Sequence, residues 1–177
     1  GVINLREKSD QFYIQSNYGI SPDKFDFLEE DTIVIVGNFD VFNQHFEYIM
    51  SHDMSVESNF QQAASYFDLN SMTDYLVCQL AVANTDWPQG NLKYWRERKP
   101  DAKWRYLLFD LDASMGLYPW SHIDREAYNR IITQQGETNP HVMIHIQLMK
   151  NKNYQGQDKK ERTNSQLKNS NMKCEKV

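Results

Sequence analysis

Two acidic stretches joined by a strand–turn–strand pattern constrain this chain more than any other feature of its 177 residues. The first reads Asn84-Thr85-Asp86-Trp87-Pro88-Gln89-Gly90-Asn91 and the second Leu108-Phe109-Asp110-Leu111-Asp112. Residues 92–96 and 104–109 between them are rich in apolar and aromatic side chains, and a polar run at 97–103 separates the two, as in a β-hairpin. A hairpin returns the chain to where it left, so Asp86, Asn91, Asp110 and Asp112 are expected to converge. Carboxylates and an amide carbonyl are hard oxygen donors, suited to Mg2+ or Mn2+ carrying a phosphate. Blander readings compete. Asn-Thr-Asp-Trp-Pro is good turn chemistry by itself, and Asp112 would serve equally as a helix N-cap. Asp110 follows Leu-Leu-Phe at the end of a buried-type strand, where an acid is costly unless it meets a metal or a hydrogen-bond donor.

The stripe Leu69, Met72, Leu76, Leu80 and Ala83 predicts a helix over 68–83, with Asp68 or Asn70 as its cap. Pro88 cannot continue it, so the helix delivers the chain directly to Asp86. Val41, Phe42, His45, Phe46 and Ile49 keep helical spacing, as do Val56, Phe60, Ala63, Ala64 and Phe67. Ser9 opens a further helix that Gly19 closes. Residues 25–28 and 32–36 read as short strands, with Gly37-Asn38 as a breaker. Residues 2–7 read as a strand or its tail, 117–120 as an aromatic loop, and 123–133 and 141–150 as helices. The expected fold class is α+β, mostly helical, with one small hairpin at the site.

A hydrophobic content of 40% is enough for a core, and no run approaches the ~20 apolar residues that span a bilayer. The formal charge of −5 gives no general attraction to nucleic acid. Cys78 and Cys174 form no metal-binding spacing. His141 and His145 share the i,i+4 spacing of some zinc sites, but no third ligand follows. Lys93, Arg96 and Arg105 alternate with aromatics and read as the solvated face of the hairpin. Residues 150–177 carry 8 Lys/Arg against 3 Asp/Glu and few large apolar side chains. The expected division is therefore a domain over 1–150 and a basic, polar, disordered tail over 151–177.

Three stretches carry a family resemblance. Residues 1–8 are similar to the G-x-Y-x-L-x-E segment of the spore-coat protein H (CotH) kinase family. Residues 84–96 resemble its N-x-D-W-P-x-N-N-x-x-x-W-R, and residues 103–112 with Gly116 resemble its W-R-W-x-x-x-D-x-D…G. The resemblance implies the C-terminal lobe of a protein-kinase-like fold, binding ATP with Mg2+ or Mn2+ and transferring phosphate to Ser or Thr of a protein. It gives Asp86 the catalytic role, Asn91 and Asp110 the metal, Asp112 a share of that metal, and Glu7 a place by the lobe connection and the adenine. It also suggests a spore-coat, cell-surface or exported location. The chain departs from the pattern in having Gly90 where Asn is frequent, no DFG and no HRD triplet. It also shows no Gly-rich loop, so a kinase N-terminal lobe is expected to be largely absent. On that reading the activity belongs to the full-length parent and this chain alone is inactive.

Two other functions stay open. A degenerate, non-catalytic kinase-like module would use the same fold for binding or structure. A haloacid-dehalogenase-type phosphatase would use Asp110 as nucleophile, since residues 107–114 echo its hydrophobic-D-x-D motif. That motif normally opens an α/β domain, whereas mostly helical sequence precedes it here.

Overall fold

The computed structural model describes residues 7–117 and 138–156. The expected strand at 2–7 (all but Glu7), most of the 117–120 loop, the helix at 123–133 and the tail from 157 onward lie outside them.

Four strands form one antiparallel sheet: β1 (Phe25–Glu29), β2 (Ile33–Val36), β3 (Lys93–Glu97) and β4 (Arg105–Leu107), in the order β2-β1-β3-β4. The expected hairpin is β3–β4, but it is not isolated. β1 pairs with β3 along its full length, from Phe25 opposite Glu97 to Glu29 opposite Lys93. This pairing joins segments far apart in the sequence, so local periodicity carries no trace of it.

The longer helices among the described residues are α1 (Gln11–Tyr18), α2 (Asp40–Ser51), α3 (Glu57–Tyr66), α4 (Leu69–Ala81) and α5 (Pro140–Leu148). The α+β class is therefore as expected. Asp10, not Ser9, caps α1 by accepting from the Phe12 amide, and Gly19 closes it in the left-handed region at φ 69°. Asp68 caps α4 by accepting from the Ser71 amide.

Side-chain alternation splits the sheet between two cores. One face places Phe25, Phe27, Trp95 and Leu107 against Ile14 of α1. The other places Leu28, Tyr94 and Tyr106 against the remaining helices, with Phe42, Phe67, Trp87, Trp104, Val142 and Leu148. Phe42 is the hub of that larger core, its ring meeting those of Phe67, Tyr94, Trp104 and His141. The core also takes in Asn151 and Tyr154, inside the stretch read as a tail.

Two sequence expectations change. Arg96 is buried on the core side of β3, where Nε donates to the Ala102 carbonyl and Nη2 to that of Lys99. It closes the β3–β4 turn instead of facing solvent, because carbonyls left unpaired by the turn need donors. Helix α4 is buried around most of its circumference, with Thr73, Tyr75, Val77 and Gln79 added to the apolar stripe. His141 and His145 are buried side chains with separate tyrosine partners, the hydroxyls of Tyr106 at 2.8 Å and Tyr154 at 3.0 Å.

Candidate functional site: the paired acidic loops

Past α4 the chain cannot remain helical. Ala83 turns left-handed at φ 50°, and the Trp87–Pro88 peptide is cis. Trp87 is fully buried beside Tyr75 and anchors the loop to the core. The Gly90 amide donates to the Asp86 carbonyl at 2.7 Å, which closes a tight turn. The Pro88 carbonyl accepts from Asn139 Nδ2 at 3.0 Å. Asn139 also caps α5, its Oδ1 accepting from the amides of His141 and Val142.

The second acidic stretch lies along the first. Asn91 Nδ2 donates to the Asp110 carbonyl at 2.8 Å. The Thr85 amide and hydroxyl both donate to the Ala113 carbonyl, at 3.1 and 3.0 Å. The Met115 amide donates to the Val82 carbonyl at 2.8 Å. Asp86 directly follows Thr85 and Asp112 directly precedes Ala113, so these two acids flank one backbone contact. Asn91, Asp110 and Met115 all occupy the left-handed region, at φ 60°, 49° and 57°. The conformation costs Met115 about 1 kcal/mol or more and costs Asn91 and Asp110 less, since Asn and Asp tolerate it better. With Ala83, four of the described residues in this conformation lie on these two loops.

The four acidic-loop residues are thus brought onto one crosslinked pair of segments. Asp86, Asp110 and Asp112 are exposed and Asn91 is half-buried. Exposure of Asp110 removes the premise that it ends a buried strand, because β4 stops at Leu107 and Leu108 is already 44% exposed. No helix follows Asp112 through residue 117, so the capping alternative has nothing to cap there. The turn-capping role considered for Asp86 belongs instead to Asn84, whose Oδ1 accepts from the Asp86 amide at 3.2 Å. Among the described residues the carboxylates of Asp86 and Asp112 make no hydrogen bond or ion pair. Glu7 is not brought to these loops; its carboxylate accepts from Asn17 Nδ2 at 3.2 Å. Its neighbour Ser9 binds Lys93 Nζ, which also sits 4.3 Å above the Phe109 ring.

Two residues escaped the sequence reading, Tyr75 and Gln79, and a third, Asn84, was given no role of its own there. Tyr75 donates its hydroxyl to the Asn91 carbonyl at 2.7 Å. Gln79 and Asn84 lie buried beneath the loops, with Asn84 Nδ2 donating to Gln79 Oε1 at 2.8 Å. The available signal was a Gln four residues after a Tyr in an otherwise apolar helix, and an Asn two residues before Asp86.

A divalent cation fits this donor set in kind. With its amide nitrogen committed to Asp110, Asn91 leaves Oδ1 as the free atom, and the acids add hard oxygens. Among the described residues no three His, Cys, Asp or Glu side chains gather closely enough to hold a metal by themselves. Among the same residues no helix is long and apolar enough to cross a membrane.

Fold and site together define an α+β protein with two strained acidic loops presented at the edge of a mixed helical and sheet core. The family model described as CotH kinase protein matches residues 4–173, and the chain belongs to the CotH kinase family. No curated protein and no solved structure matches it.

Proposed function

We propose that the paired acidic loops are a phosphotransfer site that uses ATP and Mg2+ or Mn2+ to phosphorylate Ser or Thr of a protein. The observation that carries this reading is the state of Asp86. Its carboxylate is exposed and committed to nothing among the described residues, while Asn84 does the local capping and Asn91 is tied to Asp110. A costly backbone that leaves an acid unengaged is expected where the acid has external work.

In this reading Asp86 orients the acceptor hydroxyl and takes its proton. Asn91 Oδ1, Asp110 and Asp112 hold the cation, with water and nucleotide oxygens completing a shell that protein groups alone do not fill. When bound, that cation neutralises charge on the phosphate oxygens. Glu7, tied through its neighbouring residues to the start of β3, is the adenine-side group.

The rival is a non-catalytic kinase-like module, favoured by the lack of a three-ligand acidic cluster among the described residues. The aspartyl-phosphate reading gains no support, since the four described strands pair only antiparallel in their sheet and that chemistry sits on parallel α/β sheets. The deciding experiment is transfer from γ-labelled ATP by the full-length protein with Mg2+ or Mn2+. Asp86→Ala and Asp110→Ala should each lower it by about 10²-fold or more. No transfer and no nucleotide binding by the wild type would leave the non-catalytic module.

A further inference from the structure

We infer that Asn84 is a positioning residue that sets the relative placement of Asp86, Asn91 and Asp110, and so prepares the loops for a metal-bound nucleotide. The inference rests on the phosphotransfer reading. Asn84 is 2% exposed and reaches both loops with one side chain. Its Oδ1 accepts from the Asp86 amide at 3.2 Å. Its Nδ2 lies 2.8 Å from Gln79 Oε1 and 3.5 Å from the Asp110 carbonyl, which also accepts from Asn91. Gln79, held by Asn84 through Oε1, points Nε2 at the Asn91 carbonyl at 3.5 Å, where the Tyr75 hydroxyl also donates. The amide of Asn84 therefore connects with all three groups, directly for Asp86 and Asp110 and through Gln79 for Asn91.

The chemistry requires an amide. Asp86 needs an acceptor beneath its N–H, while Gln79 and Asp110 need a donor, and only Asn offers both at this length. Buried polar groups that orient ligands from behind typically change metal affinity by about 10–100-fold when altered. Asn84→Asp keeps the acceptor and replaces the donor with oxygen. Asn84→Ala removes both.

The test uses the full-length protein and Mn2+ with ATP. Mn2+ affinity is read by electron paramagnetic resonance, amide exchange at Asp86 is read without ligand, and thermal unfolding is followed alongside. The expected result is folded variants whose Mn2+–ATP affinity falls by about tenfold or more. The Asp86 amide should stay protected in Asn84→Asp and exchange faster in Asn84→Ala. Should Asn84→Ala fail to fold, Asn84→Asp decides. Folded variants that bind Mn2+–ATP like the wild type, with transfer intact, overturn the inference and leave the phosphotransfer reading standing. A wild type that neither binds Mn2+–ATP nor transfers phosphate overturns that reading, and this inference with it.

Discussion

Single residues in this protein are held to narrow tolerances where backbone and charge meet. Gly37 sits at φ 89°, and a Cβ there would lie 2.1 Å from Asp26 Oδ1 and 2.5 Å from Arg98 Nη2. Asp26 Oδ1 is the buried end of an ion pair with Arg98 Nε at 2.9 Å, in which the Arg98 side chain is 41% exposed. Gly37→Ala combines a disfavoured φ with displacement of the Asp26 carboxylate, and should lower stability by about 1–3 kcal/mol in urea unfolding. A second residue-scale prediction concerns pH. Burial lowers the pKa of His141 to about 3, and burial with the nearby Arg96 lowers that of His45 to about 4. Both are depressed below the unfolded value of about 6.5, so the unfolded chain takes up protons that the native state refuses. Their contribution is complete above about pH 6.5 and is lost as pH falls toward 4, at up to about 1.4 kcal/mol per pH unit for each histidine. Unfolding free energies at pH 7 and pH 5 should differ by several kcal/mol, the lower pH being less stable. A flat profile across that window would contradict the buried neutral state of both rings.

At the scale of elements, the acidic loops are governed by helix ends. α4 supplies Tyr75 and Gln79 from one face, and its C-terminus passes directly into the strained turn at Ala83. α5 contributes from the other side through Asn139, which caps that helix and holds the Pro88 carbonyl with the same side chain. Asn139→Ala should therefore do two things. Loss of the cap should cost about 1 kcal/mol in stability, and the 84–91 loop should become more open to exchange and proteolysis under native conditions. Hydrogen exchange resolved by residue would separate these, since a simple cap loss would raise exchange in α5 alone. β2 shows the opposite situation. It is an edge strand of four β-branched residues, with Ile33 44% and Val34 45% exposed. Its position at the edge explains why these apolar residues gain little burial although their sequence reads as an interior strand.

For the molecule as a whole, a ligand that binds the native state alone must raise its stability. At a concentration of about 100 times its dissociation constant, Mg2+–ATP should add about 2.7 kcal/mol to the unfolding free energy, with a matching rise in Tm. Excess EDTA should reverse that rise without unfolding the protein, since the core closes without the site. An unchanged Tm in saturating Mg2+–ATP would favour the non-catalytic module. How much of this was legible beforehand depends on the range of the forces involved. The α4 stripe, its Asp68 cap, the Gly19 stop and the breaker at Pro88 are local effects of periodicity, capping and backbone sterics, so they could be read from neighbours in the chain. The order Asp86, Asn91, Asp110, Asp112 was likewise visible, and it carried the family resemblance. The residues supporting those groups were not. The pairing of β1 with β3, the burial of Arg96 and the reach of Asn84 between two loops each join segments that only folding brings together. A buried polar side chain takes whichever backbone atom the packed core leaves without water, and tertiary structure alone decides which atom that is.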